Sequence, residues 1–174
     1  MKSLLLYIVI IVTSSLTLSI SAVRIDYKET VQSKSKTKII ALFKELEKVT
    51  KNDNKVLVAY KGAMITLVSK LQKGAKKKKT LFKEGISLIE YAVKSNPNNI
   101  EIRFVRLSIQ QNAPKFLKYN KHKDKDKAFV LNNLKSTKSL VLKQYILDYI
   151  LQSKHFSEEE KNIILQKQIV IYEM

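Results

Sequence analysis

The stretch Tyr91–Leu107, "YAVKSNPNNIEIRFVRL", decides how this chain is read. A helical run stops at Ser95-Asn96-Pro97, because residues before a proline are pushed off helical geometry. A second run, Asn98 to Gln111, follows at once. In it Ile100, Phe104 and Leu107 fall on one side, and Ile102, Val105 and Ile109 on another. Apolar coverage that wide predicts a helix buried between neighbours, so "NPNN" is a corner between two packed helices. The remaining stripe is Arg103, Arg106 and Gln110, spaced three and four apart and therefore on one face. It holds two of the three arginines in the chain. A planar guanidinium suits bidentate pairing in a buried place. One reading is an internal ion pair with Glu84, Glu90, Glu101 or Asp148. The other is an anion or partner carboxylate held in a groove between helices. The cost of unpaired buried charge favours the internal pair.

Working upstream, the helix before the corner carries Leu81, Phe82, Ile86, Ile89, Ala92 and Val93. "QKGAKKKK" precedes it, with Gly74 as a helix stop and Lys76, Lys77, Lys78 and Lys79 in a solvated loop. The next stripe back is Val56, Tyr60, Ala63, Met64, Leu67 and Leu71, capped by Asp53 or Asn54. Before it, Ile39, Leu42, Phe43, Leu46 and Val49 recur at helical spacing. Residues 23–36 are polar and aperiodic and read as a mobile leader. Residues 1–22, "MKSLLLYIVIIVTSSLTLSISA", have one cation, an apolar run and a small-residue end at Ala22, the layout of a secretory signal. If it is left uncleaved, it becomes a membrane anchor.

Downstream, Pro114 begins a short turn, and Asp124 or Asp126 caps a helix bearing Ala128, Phe129, Leu131 and Leu134. A helix from about Thr137 to Gln152 carries Leu140, Val141, Tyr145, Leu147, Tyr149 and Leu151. In the last helix Ser157 and Glu160 form a capping box, and Ile163, Ile164, Val170 and Ile171 form the apolar face. The prediction is an all-α, antiparallel bundle of about seven helices, a single domain over residues 37–174. Three Gly and two Pro in 174 residues argue against the many turns of a β-sandwich.

Gly85, Ile89, Ala92 and Pro97 stand at the spacing small-x3-large-x2-Ala-x4-Pro. That spacing resembles the second helix of a tetratricopeptide repeat, in which small residues let paired helices approach and proline sets the next corner. The resemblance covers one helix and a turn and implies a repeat-like helical hairpin. Arg103 and Arg106 stand where that family has apolar residues. The stretch Asn96–Leu131 also resembles a group of small exported proteins from flavobacteria-like organisms, which implies an exported helical protein and no particular chemistry.

Several chemistries lack their residues. No Cys is present, so thiol catalysis, disulfides and lipid attachment to a cysteine are closed. Three glycines cannot form a phosphate-cradling loop. Asn120, His122, Asp124 and Asp126 alternate in "NKHKDKDK" but lack the Gly and final Glu of a calcium loop, and the interleaved lysines oppose a cation. No catalytic constellation, metal or cofactor is implied. The formal net charge is +18, with lysine supplying most of it, so polyanions are attracted. Lys76 to Lys79 are the candidate anion contacts. No aromatic residues interleave with them to stack bases, which disfavours nucleic acid. The expectation is a non-catalytic interaction or scaffolding protein of the bacterial envelope, periplasmic or secreted, with a protein partner. The alternative is a basic protein that binds anionic envelope lipids or polysaccharide.

Overall fold

A computed structural model of the chain describes residues 18–172, with side chains through residue 166. Among these residues there are eight α-helices and no strand: α1 (Ile20–Ser33), α2 (Lys36–Leu46), α3 (Lys55–Leu71), α4 (Ala75–Ser95), α5 (Ile100–Asn112), α6 (Lys123–Asn133), α7 (Leu140–Gln152) and α8 (Glu158–Tyr172). A 3-10 turn, Lys115–Leu117, follows Pro114. The protein is a helical bundle.

Its centre is the hairpin of α3 and α4, joined by Gln72 to Gly74. Gly62 and Gly85 meet where these helices touch. A Cβ at Gly62 would lie 2.5 Å from the Gly85 carbonyl oxygen, and one at Gly85 equally close to that of Gly62. Each glycine is about ten residues from the connecting turn, so the two helices run antiparallel. Only the absence of a side chain lets the backbones come this near.

α3 is buried well beyond its predicted stripe, with Leu57, Val58, Ala59 and Ile65 inside as well. α2 packs on one side of it and α5 on another. Asn54 caps α3 by accepting from the Val56 N–H at 2.9 Å. Asp53 instead closes the preceding loop, accepting from the Thr50 N–H and hydroxyl. The corner after α4 forms as predicted: α4 ends at Ser95, and Asn99 caps α5 by accepting from the Ile102 N–H. The Ser157–Glu160 capping box is formed in both directions.

Other expectations need correction. Residues 23–36 are not a mobile leader, because α1 packs into the core with Val23 and Tyr27 buried. Its inward face also includes Arg24, which hides the helical pattern in the sequence. The predicted signal lies mostly outside the described residues; its last part, Leu18 to Ala22, runs into α1, and Leu18 and Ile20 pack against the core. Lys76 to Lys79 are not in a loop but in the first turns of α4, all exposed. Gly74, with φ 84°, leads into α4 rather than terminating α3, which ends at Leu71 with an extended Gln72.

The inward side of α6 is Asp126 and Val130, continued by Leu134; Ala128 is exposed. α7 buries Leu142, Tyr145, Ile146 and Ile150, leaving Leu140 and Val141 in solvent. On α8, Ile164 is buried and Ile163 is exposed. The side chains of Val170 and Ile171 lie outside the described residues.

Candidate functional site

α5 positions the arginine stripe, and its neighbours decide what the stripe meets. Asp126, fully buried on α6, sits at the centre. Arg106 donates to it twice, Nε to Oδ2 at 2.6 Å and Nη2 to Oδ1 at 2.8 Å. Gln110 Nε2 donates to the same carboxylate at 2.8 Å, and the Gln110 side-chain Oε1 accepts from the His122 backbone N–H. Arg103 Nε lies 2.7 Å from Asp126 Oδ1, but its N–H is not aimed at that oxygen, so the contact is ionic rather than a hydrogen bond. The Arg103 guanidinium also stacks over the Phe129 ring, 4.7 Å from its centroid. Glu90 on α4 completes the cluster, accepting from Arg106 Nη1 at 2.7 Å and from the Tyr119 hydroxyl at 2.6 Å. Burial, and then the hydrogen bond to Glu90, pushes the Tyr119 hydroxyl well above its usual pKa.

Arg103, Arg106 and Gln110 are thus brought together, but around a carboxylate of the protein itself. They are buried and engaged, which leaves no open groove for an outside anion. Of the partners the sequence suggested, Glu90 does pair with Arg106. Glu101 and Asp148 pair elsewhere, and Glu84 is exposed. Asp126 was the missed partner. Its position between lysines makes it look like a helix cap, whereas His122 occupies the cap position and Asp126 turns inward.

A second buried pair ties α1 to α5. Arg24 donates from Nε and Nη2 to the two oxygens of Glu101, at 2.7 and 2.8 Å, and the Tyr60 hydroxyl donates to the same carboxylate at 2.8 Å. The hydrogen bond to Glu101 raises the Arg24 pKa further. All three arginines therefore act inside the fold.

The surface features lie elsewhere. α1 and α7 are bridged by Lys28 Nζ and Asp148 Oδ2 at 2.7 Å, with the Lys28 ammonium also over the Tyr145 ring. On one side of this bridge is a groove of about 740 Å3 lined by Ile25, Leu140, Val141 and Leu147. Ile25, Leu140 and Val141 are 49%, 73% and 54% exposed, high values for large apolar side chains. The charged groups bordering this groove are engaged: Arg24 with Glu101, Glu29 with Lys38, and Lys143 with the Lys135 carbonyl. On the other side lies a second cleft of about 630 Å3.

Lys76 to Lys79 stand apart from both, at the N-terminal end of α4, where the helix dipole already places positive charge. No group of three or more His, Asp or Glu side chains among the described residues is arranged to hold a metal ion. Comparison with known protein families, curated proteins and solved structures finds no match to this chain.

Proposed function

We propose that this chain is a non-catalytic, exported helical interaction protein of the bacterial envelope, which holds a protein partner in the groove between α1 and α7. The observation that carries the reading is the exposed set Ile25, Leu140 and Val141 around a concave surface whose charged neighbours are already engaged. Contiguous apolar surface of this kind, rimmed by polar groups, marks interaction sites. An amphipathic helix laid into the groove would bury it. The non-catalytic part is supported by the state of the distinctive polar residues, since the buried arginines and carboxylates serve one another. The α3–α4 hairpin, with its glycine crossing and Asn-Pro corner, is in this reading a tetratricopeptide-like unit that supports the groove. Export rests on the layout of residues 1–22.

The test is capture from the envelope fraction by the immobilised full chain, at low and high salt. Capture should persist at high salt and disappear in Leu140→Glu and Val141→Glu, both of which should fold. Capture untouched by these substitutions would end the proposal. A second reading is favoured by Lys76 to Lys79, four exposed cations in a first helical turn with no acid to offset them. It makes the protein a binder of anionic envelope lipids or polysaccharide. In that case binding falls steeply with salt, and Lys→Gln changes at these four positions abolish it.

A further inference from the structure

The cleft on the far side of the Lys28–Asp148 bridge differs in chemistry from the α1–α7 groove. Its deeper wall is aliphatic, with Ile39 and Ile109 buried and Leu67 and Leu71 half-buried. Many polar groups around it are engaged within the protein. The Ser108 hydroxyl donates to the Val105 carbonyl, and the Asn112 amide to the Ser108 carbonyl, both at 2.8 Å. The Tyr149 hydroxyl donates to Gln111 at 2.6 Å, and the Ser153 hydroxyl accepts from the His155 N–H. Asp148, the acid in the lining, is taken by Lys28.

Besides the aliphatic and tyrosine side chains, the lining includes Lys34, Lys70 and Lys154, with Gln32, Gln152 and His155 beside them. None of the three lysines has a carboxylate partner among the described residues of the lining. Lys70 is exposed to water, yet the surrounding walls crowd its ammonium, and this desolvation lowers its pKa from the usual lysine value. Lys34 adopts a left-handed backbone at the α1–α2 corner, with φ 53°. Glycine holds that conformation with less strain. Lys118 holds the same conformation away from the cleft, so the backbone at Lys34 serves only as a handle for substitution.

We propose that this cleft binds a free medium-chain fatty acid, its aliphatic chain against Leu67, Leu71 and Ile109 and its carboxylate at Lys70, with Lys34 and Lys154 adding positive charge. A volume of about 630 Å3 is within the range of small-molecule clefts. An aliphatic chain needs no hydrogen bonds from groups that are already paired. A peptide backbone would bring donors and acceptors that the walls leave unmatched. A carboxylate gives the Lys70 ammonium a counter-charge that no free acid of the lining supplies. The inference rests on the non-catalytic binding reading, but not on the α1–α7 groove.

The experiment is calorimetric titration of the purified full chain with dodecanoate below its micelle concentration. The comparison ligands are 1-dodecanol, hexanoate and anionic phosphatidylglycerol vesicles. Dodecanoate should bind, and hexanoate should bind far more weakly. Lys70→Gln should weaken dodecanoate by about two- to fivefold, the scale of one exposed ion pair, and leave dodecanol unchanged. Leu71→Ser should weaken both. Lys34→Gly should weaken dodecanoate while raising the melting temperature, so a weaker signal there cannot be unfolding. Failure to bind dodecanoate, equal binding by Lys70→Gln, or binding to vesicles alone overturns the assignment. If dodecanoate fails while Leu140-dependent capture survives, only the ligand class falls; if both fail, the binding-protein reading falls with it.

Discussion

The α3–α4 hairpin and the α1–α7 seam are opposite ways of joining two helices. In the hairpin, Gly62 and Gly85 bring backbone against backbone, and no space remains between them. At the seam, contact runs through long side chains, Lys28 to Asp148 and Lys28 over Tyr145, and hollows of hundreds of cubic ångströms are left on both sides. Concave surface is therefore left beside the seam and not at the hairpin. Close backbone packing stabilises the bundle but excludes ligands. A bridge of flexible side chains leaves concave surface beside it. α1 is anchored away from the seam, to α5, through Arg24 on Glu101.

The largest expected effect breaks the sealed side. Asp126→Ala leaves Arg103 and Arg106 buried without their shared carboxylate, and should cost about 3–5 kcal/mol in urea unfolding. A cost below about 1 kcal/mol, the level of a solvated surface pair, would mean that the cluster is open to water in solution. Next comes the hairpin. Gly85→Ala gains up to about 1 kcal/mol of helix propensity but drives a methyl group into the Gly62 carbonyl and Thr66. A net loss of about 1–3 kcal/mol should appear as a lower melting temperature. A neutral result would show that the helices do not touch there.

The seam should respond less. Burial alone would raise the Asp148 carboxyl pKa, but hydrogen bonds from Lys28 and Gln144 outweigh it and hold the pKa below the ordinary carboxylate value. A depressed carboxylate pKa gives stability that is present above the unfolded value and lost as pH falls through the folded one. Asp148→Asn should therefore cost under about 1 kcal/mol at neutral pH, the pair being partly exposed. The difference from wild type should fade below the ordinary carboxylate range; one that persists there would point to a cause other than the ion pair. The smallest effect is expected at the open groove. Leu140→Ser with Val141→Ser should shift stability by no more than about 0.5 kcal/mol, as at other exposed sites. A larger loss, read from the same urea curves, would place these side chains in the core.

The local parts of this outcome were legible because their causes are local. Asn54, Asn99 and the Ser157–Glu160 box cap helices within three residues of themselves. The apolar period over Ile39–Leu46 and Phe82–Val93 names its own inward face. The breadth of apolar coverage on α5 predicted its burial. α1 was illegible because its inward face is completed by Arg24, which becomes core-compatible only once Glu101 lies against it. The exposed Leu140 and Val141 were illegible for the opposite reason: apolar residues look like core unless a neighbour fails to cover them.

Read alone, the sequence establishes the helical class, the caps at Asn54, Asn99 and Ser157 and the corner at Asn96-Pro97, since pitch, capping and proline geometry act over a few residues. Packing in three dimensions sets which charges face inward, that Asp126 receives the arginines, and that the α1–α7 seam stays open. Those outcomes depend on groups 20 to 120 residues apart in the chain, and ionic attraction and desolvation depend on distance in space, not in sequence.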